Sequence, residues 1–415
     1  MPGDDVVLIV GGGLAGARAA EGARESGFDG RLVIVGAEDT LPYIRPPLSK
    51  EFLIGKSERG SFEVHPADWY TQQRVELLLD RRVAAIDPAA HTVDVERGDV
   101  LHYDRLILAT GASPRQYRGP GADLAGVHHL RTVGDSTKLR DAIAVGGRRV
   151  VIIGAGWIGL EVASAARGYG NEVTVLGREA VPLDTAIGDT AGSIFAGLHR
   201  GHGVDLRMST SVAGIVGERR RVTGVRLEGG DVVPADVVVI GIGAIPETFL
   251  AETAGLHVDN GIVTDAAFRT SVDDVYAVGD VANVFHPVLG RPIRIEHWAN
   301  AENAGRAAGR SIAGEHVEYD EIPYFYTDQY DLGMEYSGYG VLAEGVEPLF
   351  RGDRDAREFI AFWLAEGRVV AGMNVNVWDV NETVQRLIRS RAVVDPARLV
   401  DPAVPLEELV AGASA

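Results

Sequence analysis

Val6-Val7-Leu8-Ile9-Val10-Gly11-Gly12-Gly13-Leu14-Ala15-Gly16 stands near the start of the chain, and Val150-Val151-Ile152-Ile153-Gly154-Ala155-Gly156-Trp157-Ile158-Gly159 repeats its form farther on. Each is a short apolar run followed by three spaced glycines, the pattern of a buried strand turning into a helix. In such a turn Gly11 or Gly154 makes the tight bend, and Gly13 or Gly156 lets backbone N–H groups approach a pyrophosphate. Gly16 or Gly159 brings helix against strand, so that the helix N-terminus faces the negative charge. Leu14 with Ala15, and Trp157 with Ile158, fill the spacer positions. Two such turns in one chain predict two dinucleotide sites. A protein that holds two dinucleotides is built to pass electrons between them.

The remaining punctuation repeats as well. Past the first fingerprint the pattern gives a helix over 17–26 and a strand over 31–35. Glu38 follows that strand, where a carboxylate is expected to bond the ribose hydroxyls of a nucleotide. Leu106-Ile107-Leu108-Ala109-Thr110-Gly111 is an apolar strand ending in small residues. Ala235-Asp236-Val237-Val238-Val239-Ile240-Gly241-Ile242-Gly243 has the same form, and each leads into a proline-bearing turn, at Pro114 and Pro246. The chain therefore reads as an internal duplication with the second copy inserted into the first. Val275-Tyr276-Ala277-Val278-Gly279-Asp280 is the strand that completes the first copy.

From Glu321 the character changes. Aromatics cluster, alternation predicts strands over 359–363 and 369–377, and a helix follows over 381–391, with Asp379 as its candidate cap. The tail from Val404 reads as a surface segment. The expected fold class is α/β, with two Rossmann-like dinucleotide-binding domains in a glutathione-reductase-like layout and a C-terminal α+β domain. The expected boundaries are 1–113 with 245–320 for the first domain, 114–244 for the second and 321–415 for the third.

Composition excludes several function classes. The 415 residues carry a formal net charge of −19, and Arg219-Arg220-Arg221 is the longest basic run, which reads as an exposed hairpin turn. Nucleic-acid binding needs a basic field, so it is not expected. The sequence has no cysteine. Disulfides, thiolate metal sites, iron–sulfur ligation and a redox-active cysteine pair are all ruled out, and no metal site is expected. No apolar run reaches the length of a membrane span, and the first strand leaves no room for a leader. The expectation is a cytoplasmic monomer or homodimer that binds no membrane.

Several strings carry a family resemblance: Leu41-Pro42-Tyr43-Ile44-Arg45-Pro46-Pro47-Leu48-Ser49-Lys50, Leu130-Arg131-Thr132, Gly279-Asp280, Glu296-His297-Trp298 and Pro323-Tyr324-Phe325-Tyr326-Thr327-Asp328-Gln329. Over essentially its whole length the chain resembles the FAD-dependent, NAD(P)H-linked ferredoxin reductases of bacterial oxygenase systems, which are related in fold to apoptosis-inducing factor. The resemblance implies FAD in the first domain and NAD(P)H in the second, with the third domain against the flavin. It implies that Arg45 and Lys50 lie beside the isoalloxazine ring, that Asp280 bonds the ribityl chain, and that Trp298 lies near the pyrimidine end. Val83 and Arg131 would sit along the adenine and phosphate portion, with Tyr326 near the ring. Glu161 pairs with the lysine in this family, and such a pair can steady developing negative charge on reduced flavin. His297, between Glu296 and Trp298, serves equally well to pack, to hydrogen-bond or to move a proton.

The second domain departs from the family at one place. After Val173-Thr174-Val175-Leu176, where many relatives have an acid for the ribose of NADH, this chain has Gly177 and then Arg178. Loss of the acid removes both an acceptor and a repulsion against a 2′-phosphate, and a guanidinium can pair with phosphate, so NADPH is favoured. Glu179 argues the other way. The implied reaction passes hydride from NAD(P)H to FAD and single electrons to a small iron–sulfur ferredoxin serving an oxygenase. Two alternatives are an oxidoreductase whose acceptor is a quinone, oxygen or another small oxidant, and a flavin-based redox-sensing interaction protein.

Overall fold

The computed structural model describes residues 5–96 and 98–411. The chain divides into two compact units. One comprises the described residues of Met1–Arg45, Arg59–Ser113 and Ala244–Glu321, and the other Pro46–Glu58, Pro114–Gly243 and Ile322–Ala415.

In the first unit the strand Val6–Val10 lies at the middle of a five-stranded sheet. Arg31–Val35 and then Val75–Leu78 pair on one side of it, and Arg105–Leu108 and then Val275–Ala277 on the other, all parallel. Because helices cover such a sheet, its strands are apolar on both faces, and Val7, Leu8 and Ile9 are all buried. The helix Leu14–Glu25 packs closely on the helix Trp298–Ile312 through small residues. Side chains at Gly22, Gly305 or Gly309 would collide with Arg306, Ala15 or Ala19 backbone.

The second unit repeats the plan. Arg149–Ile153 pairs in parallel with Glu172–Leu176 on one side and Val237–Ile240 on the other, within a sheet completed by Asp205–Arg207 and Val127–His128. The same unit holds an antiparallel sheet ordered Tyr324–Gln329, Leu332–Gly338, Arg368–Val375, Glu358–Ala365, Leu349–Asp353. The helix Asn381–Ser390 lies on it so closely that a side chain at Gly372 would meet Val384. One core joins the two layers: Leu160 and Phe195 from the first, and Leu332, Tyr336, Trp363 and Met373 from the second. The architecture is the expected α/β class with two dinucleotide-type sheets.

Local details differ from the pattern. The first helix begins at Leu14, earlier than its apolar periodicity indicates, because Gly13 serves as its N-cap. The cap of the helix Asn381–Ser390 is Val380 and makes no side-chain hydrogen bond, while Asp379 sits in a left-handed turn. A capping box forms instead at Thr132 and Asp135. The tail is also more than surface. Leu406–Ala411 is helical and buries Leu406 and Leu409, and Arg351 donates to the carbonyls of Leu399, Asp401 and Val404. The arginine run does form a hairpin turn, with Arg219 and Arg220 exposed in left-handed conformations between Val212–Glu218 and Arg221–Leu227.

Candidate functional site

The two fingerprints fold alike. Gly11 and Gly154 have positive φ, of 129° and 111°, and a Cβ on either would run into a carbonyl of the neighbouring strand end, Ala109 or Gly241. A Cβ on Gly16 or Gly159 would strike the carbonyl of Gly11 or Gly154. Gly13 and Gly156 face open space, and as N-caps of Leu14–Glu25 and Trp157–Gly168 they offer no side-chain acceptor to the first helical turn. The orphan N–H groups of each helix are therefore left for an anion, which is what a pyrophosphate requires. Gly279, beside Asp280, packs against Ala15, so a Cβ there would lie 2.9 Å from that of Ala15.

Around the first cradle, Glu38 accepts from the Tyr43 hydroxyl at 2.7 Å and from Arg45 Nη2 at 3.2 Å, and Arg45 Nη1 donates to the Tyr43 oxygen at 2.9 Å. A carboxylate has about four acceptor sites, so Glu38 keeps capacity for ribose hydroxyls. Arg294 donates to Glu296 and to the Asp280 carbonyl. His297 caps the helix that Trp298 begins, and burial pushes its ring down to about 4, so it is neutral at pH 7. Thr110 donates to the Glu247 carbonyl at 2.8 Å, and Gly111 has a positive φ. Val83 lies half-buried on the small antiparallel strand Val83–Asp87.

Lys50, Glu161, Tyr326, Arg131, Arg178, Gly241 and Gly243 belong to the second unit. There Lys50 Nζ donates to Glu161 Oε1 at 2.6 Å, and both side chains are more than nine-tenths buried. Ser49 donates to the other carboxylate oxygen, and Thr327 Oγ1 donates to Oε1 at 2.6 Å. The Lys50 ammonium lies 5.4 Å from the Tyr326 ring centroid, and burial pushes the Tyr326 hydroxyl up to about 12. Arg131 immediately precedes the Thr132 cap, and Gly243 has a positive φ. Trp157 packs edge-on against Phe195 and Phe325.

Motif reading missed two residues here. Thr327 carried a string match but no role, because its contact to Glu161 spans 166 positions in sequence. Met208 carried no signal at all. Its terminal methyl occupies the space a side chain at position 177 would need, while Arg178 is exposed and has no ion pair among the described residues.

Residues 5–305 match the pyridine nucleotide-disulphide oxidoreductase family and residues 324–410 the reductase C-terminal family. The chain belongs to the pyridine nucleotide-disulphide oxidoreductase family. Membership of it implies FAD and NAD(P)H, and the two cradles fit them, but with no cysteine in the sequence the disulphide chemistry of the family's name has no group to act through. The chain is 41% identical to the anthranilate 1,2-dioxygenase system ferredoxin–NAD(+) reductase component of Burkholderia cepacia, over 97% of this chain and 98% of that one. It is 37% identical to the putidaredoxin reductase of Pseudomonas putida, over 100% and 99%. Among solved structures it resembles the reductase of the covalent putidaredoxin reductase–putidaredoxin complex, with a TM-score of 0.95, 37% identity and full coverage of both chains. Among the described residues no cluster of three or more acids and histidines could hold a metal ion, and no helix is long and apolar enough to cross a membrane.

Proposed function

We propose that this protein takes reducing equivalents from NAD(P)H onto FAD and delivers them singly to an iron–sulfur ferredoxin that serves an oxygenase. One observation carries the reading. Two glycine cradles of the same geometry lie in a chain that is similar, end to end, to ferredoxin reductases of oxygenase systems. Flavin, when bound, supplies the exchange between a two-electron donor and a one-electron acceptor.

The chain's own residues account for binding and orientation. We assign FAD to residues 1–113 and 245–320, NAD(P)H to 114–244, and the third domain to 321–415. Gly11, Gly13, Leu14, Ala15 and Gly16 cradle the FAD pyrophosphate, with Ala109, Thr110, Gly111, Gly279 and Asp280 bordering it. Glu38 takes the ribose, while Arg45, Glu296, His297, Trp298, Val83, Arg131 and Tyr326 line the remainder. Gly154, Gly156, Trp157, Ile158 and Gly159, with Gly241 and Gly243, cradle NAD(P)H. Lys50 holds a positive charge toward the flavin, and Glu161 fixes its direction. The nicotinamide nucleotide is NADPH on this reading, because Arg178 is exposed, has no ion pair among the described residues, and position 177 carries no acid. The relative named above as an NAD(+) reductase makes this a point to test.

The experiment is an anaerobic titration of the yellow protein with NADPH and with NADH, followed by cytochrome reduction with and without added ferredoxin. Turnover that depends on ferredoxin supports the reading. Equal turnover with quinone or oxygen, or reduced flavin that no acceptor reoxidises quickly, rejects it.

A further inference from the structure

The buried pair of Lys50 and Glu161 is the end of a longer array. Thr327 Oγ1 accepts from Gln329 Nε2 at 3.2 Å while it donates to Glu161. Gln329 Oε1 meets His199 Nε2 at 2.7 Å, and His199 Nδ1 lies 3.5 Å from the Tyr330 hydroxyl. His202 stacks flat on the Tyr330 ring at 3.8 Å, at the solvent side. Thr327, Gln329 and His199 are each at most 1% exposed, and all of the array lies in one unit.

Hydrogen-bond chemistry permits one direction through it. The carboxylate beside the Lys50 ammonium accepts, so the single hydroxyl hydrogen of Thr327 points to Glu161. Gln329 must then present its NH2 to Thr327 and its carbonyl to His199. His199 must carry its hydrogen on Nε2, which leaves Nδ1 as an acceptor for Tyr330. Burial keeps the ring neutral, with a pKa down to about 4, as this arrangement requires. Thr327, Gln329 and His199 are buried away from water and bond to one another in series, so the direction of each bond fixes that of the next.

We propose that His199 and Gln329 are positioning residues that act through Thr327 to orient Glu161 toward Lys50. The proposal rests on the reading of Lys50 and Glu161 as the pair beside the flavin. The donors run from Tyr330 inward, so the bare nitrogen of His199 and the charge of Glu161 are two ends of one alignment. Loss of the His199 donor frees the Gln329 amide to turn, which takes the Thr327 hydroxyl away from Glu161.

The test uses holo-protein labelled with 15N-histidine, with the His199 signal assigned from its absence in His199→Gln. The wild type should show His199 protonated on Nε2 alone, and Thr327→Val should give a mixture of both tautomers. In single turnover, His199→Leu should slow flavin reduction by NAD(P)H about tenfold, the worth of one hydrogen bond to a charged group. His199→Gln, which keeps a donor where Nε2 stood, should stay within about twofold. A His199 tautomer indifferent to Thr327→Val, or equal rates for the Leu and Gln variants, overturns the proposal. If His199→Leu does not fold, Thr327→Val alone carries the test, since a methyl replaces a hydroxyl of the same shape. A colourless protein whose tautomer still follows Thr327 would reject the flavin reading and leave the array standing.

Discussion

Lys50 and Glu161, 111 positions apart in sequence, form a buried ion pair at 2.6 Å, with Ser49 and Thr327 completing the carboxylate's hydrogen bonds. Removing one partner strands a buried charge, whereas removing both does not. Glu161→Ala should therefore lower stability by about 3–5 kcal/mol in urea unfolding. The double variant Lys50→Met with Glu161→Leu should recover at least half of that loss while flavin reduction stays slow. Additive losses in the double variant would show that the two side chains do not act as a pair.

The open glycines separate binding from folding. A methyl on Gly156 meets no protein atom, and its backbone has φ −82° and ψ −178°, which any residue adopts. Gly156→Ala should leave the melting temperature within about 2 °C of the wild type, as a compatible surface substitution does. It should raise the KM for NAD(P)H at least about tenfold, because the methyl occupies the space of the pyrophosphate. Gly154→Ala, at a positive φ and against the Gly241 carbonyl, should destabilise the protein outright.

Arg178 is the candidate reader of a 2′-phosphate. Arg178→Glu with Gly177 retained should raise the KM for NADPH by about 10–100-fold, the range of a lost charge-assisted contact, and change that for NADH far less. Steady-state kinetics with both donors measures this. Equal effects would take Arg178 out of the recognition site. An acid at position 177 needs Met208 to move, so Gly177→Asp should favour NADH most when combined with Met208→Ala.

His199 should make stability depend on acid. Its ring is held from 6.5 down to about 4 by burial. Between those values the unfolded chain binds the proton that the folded chain refuses, so stability is full above pH 6.5 and falls as the pH drops toward 4. The loss is about 3 kcal/mol by linkage across that window. In His199→Gln the melting temperature should fall less between pH 7 and pH 4.5 than in the wild type. Parallel curves would show that the ring does not titrate as buried.

Much of the site was legible because its chemistry is local. Gly11, Gly13 and Gly16 act within one turn, and the same spacing at Gly154, Gly156 and Gly159 builds the same cradle. Resemblance extended this to Lys50 and Glu161, whose contact no spacing could reveal. Asp379 shows the limit of local reading. Its sequence context suits a cap, yet packing of the following helix on the sheet puts Val380 there. His199 and Met208 left no trace, and Gln329 only a string match without a role, because a buried polar or sulfur-bearing side chain has no periodicity of its own.

From its sequence alone this chain was bound to form two strand–glycine–helix turns and to lack any thiol chemistry, since both follow from residue type and from neighbours within a few positions. Which carboxylate faces the Lys50 ammonium, and which way the hydrogen bonds behind it run, was decided only in the folded chain. Those choices depend on donors and acceptors from segments more than a hundred residues apart, and their directions are set when burial removes water as a competing partner.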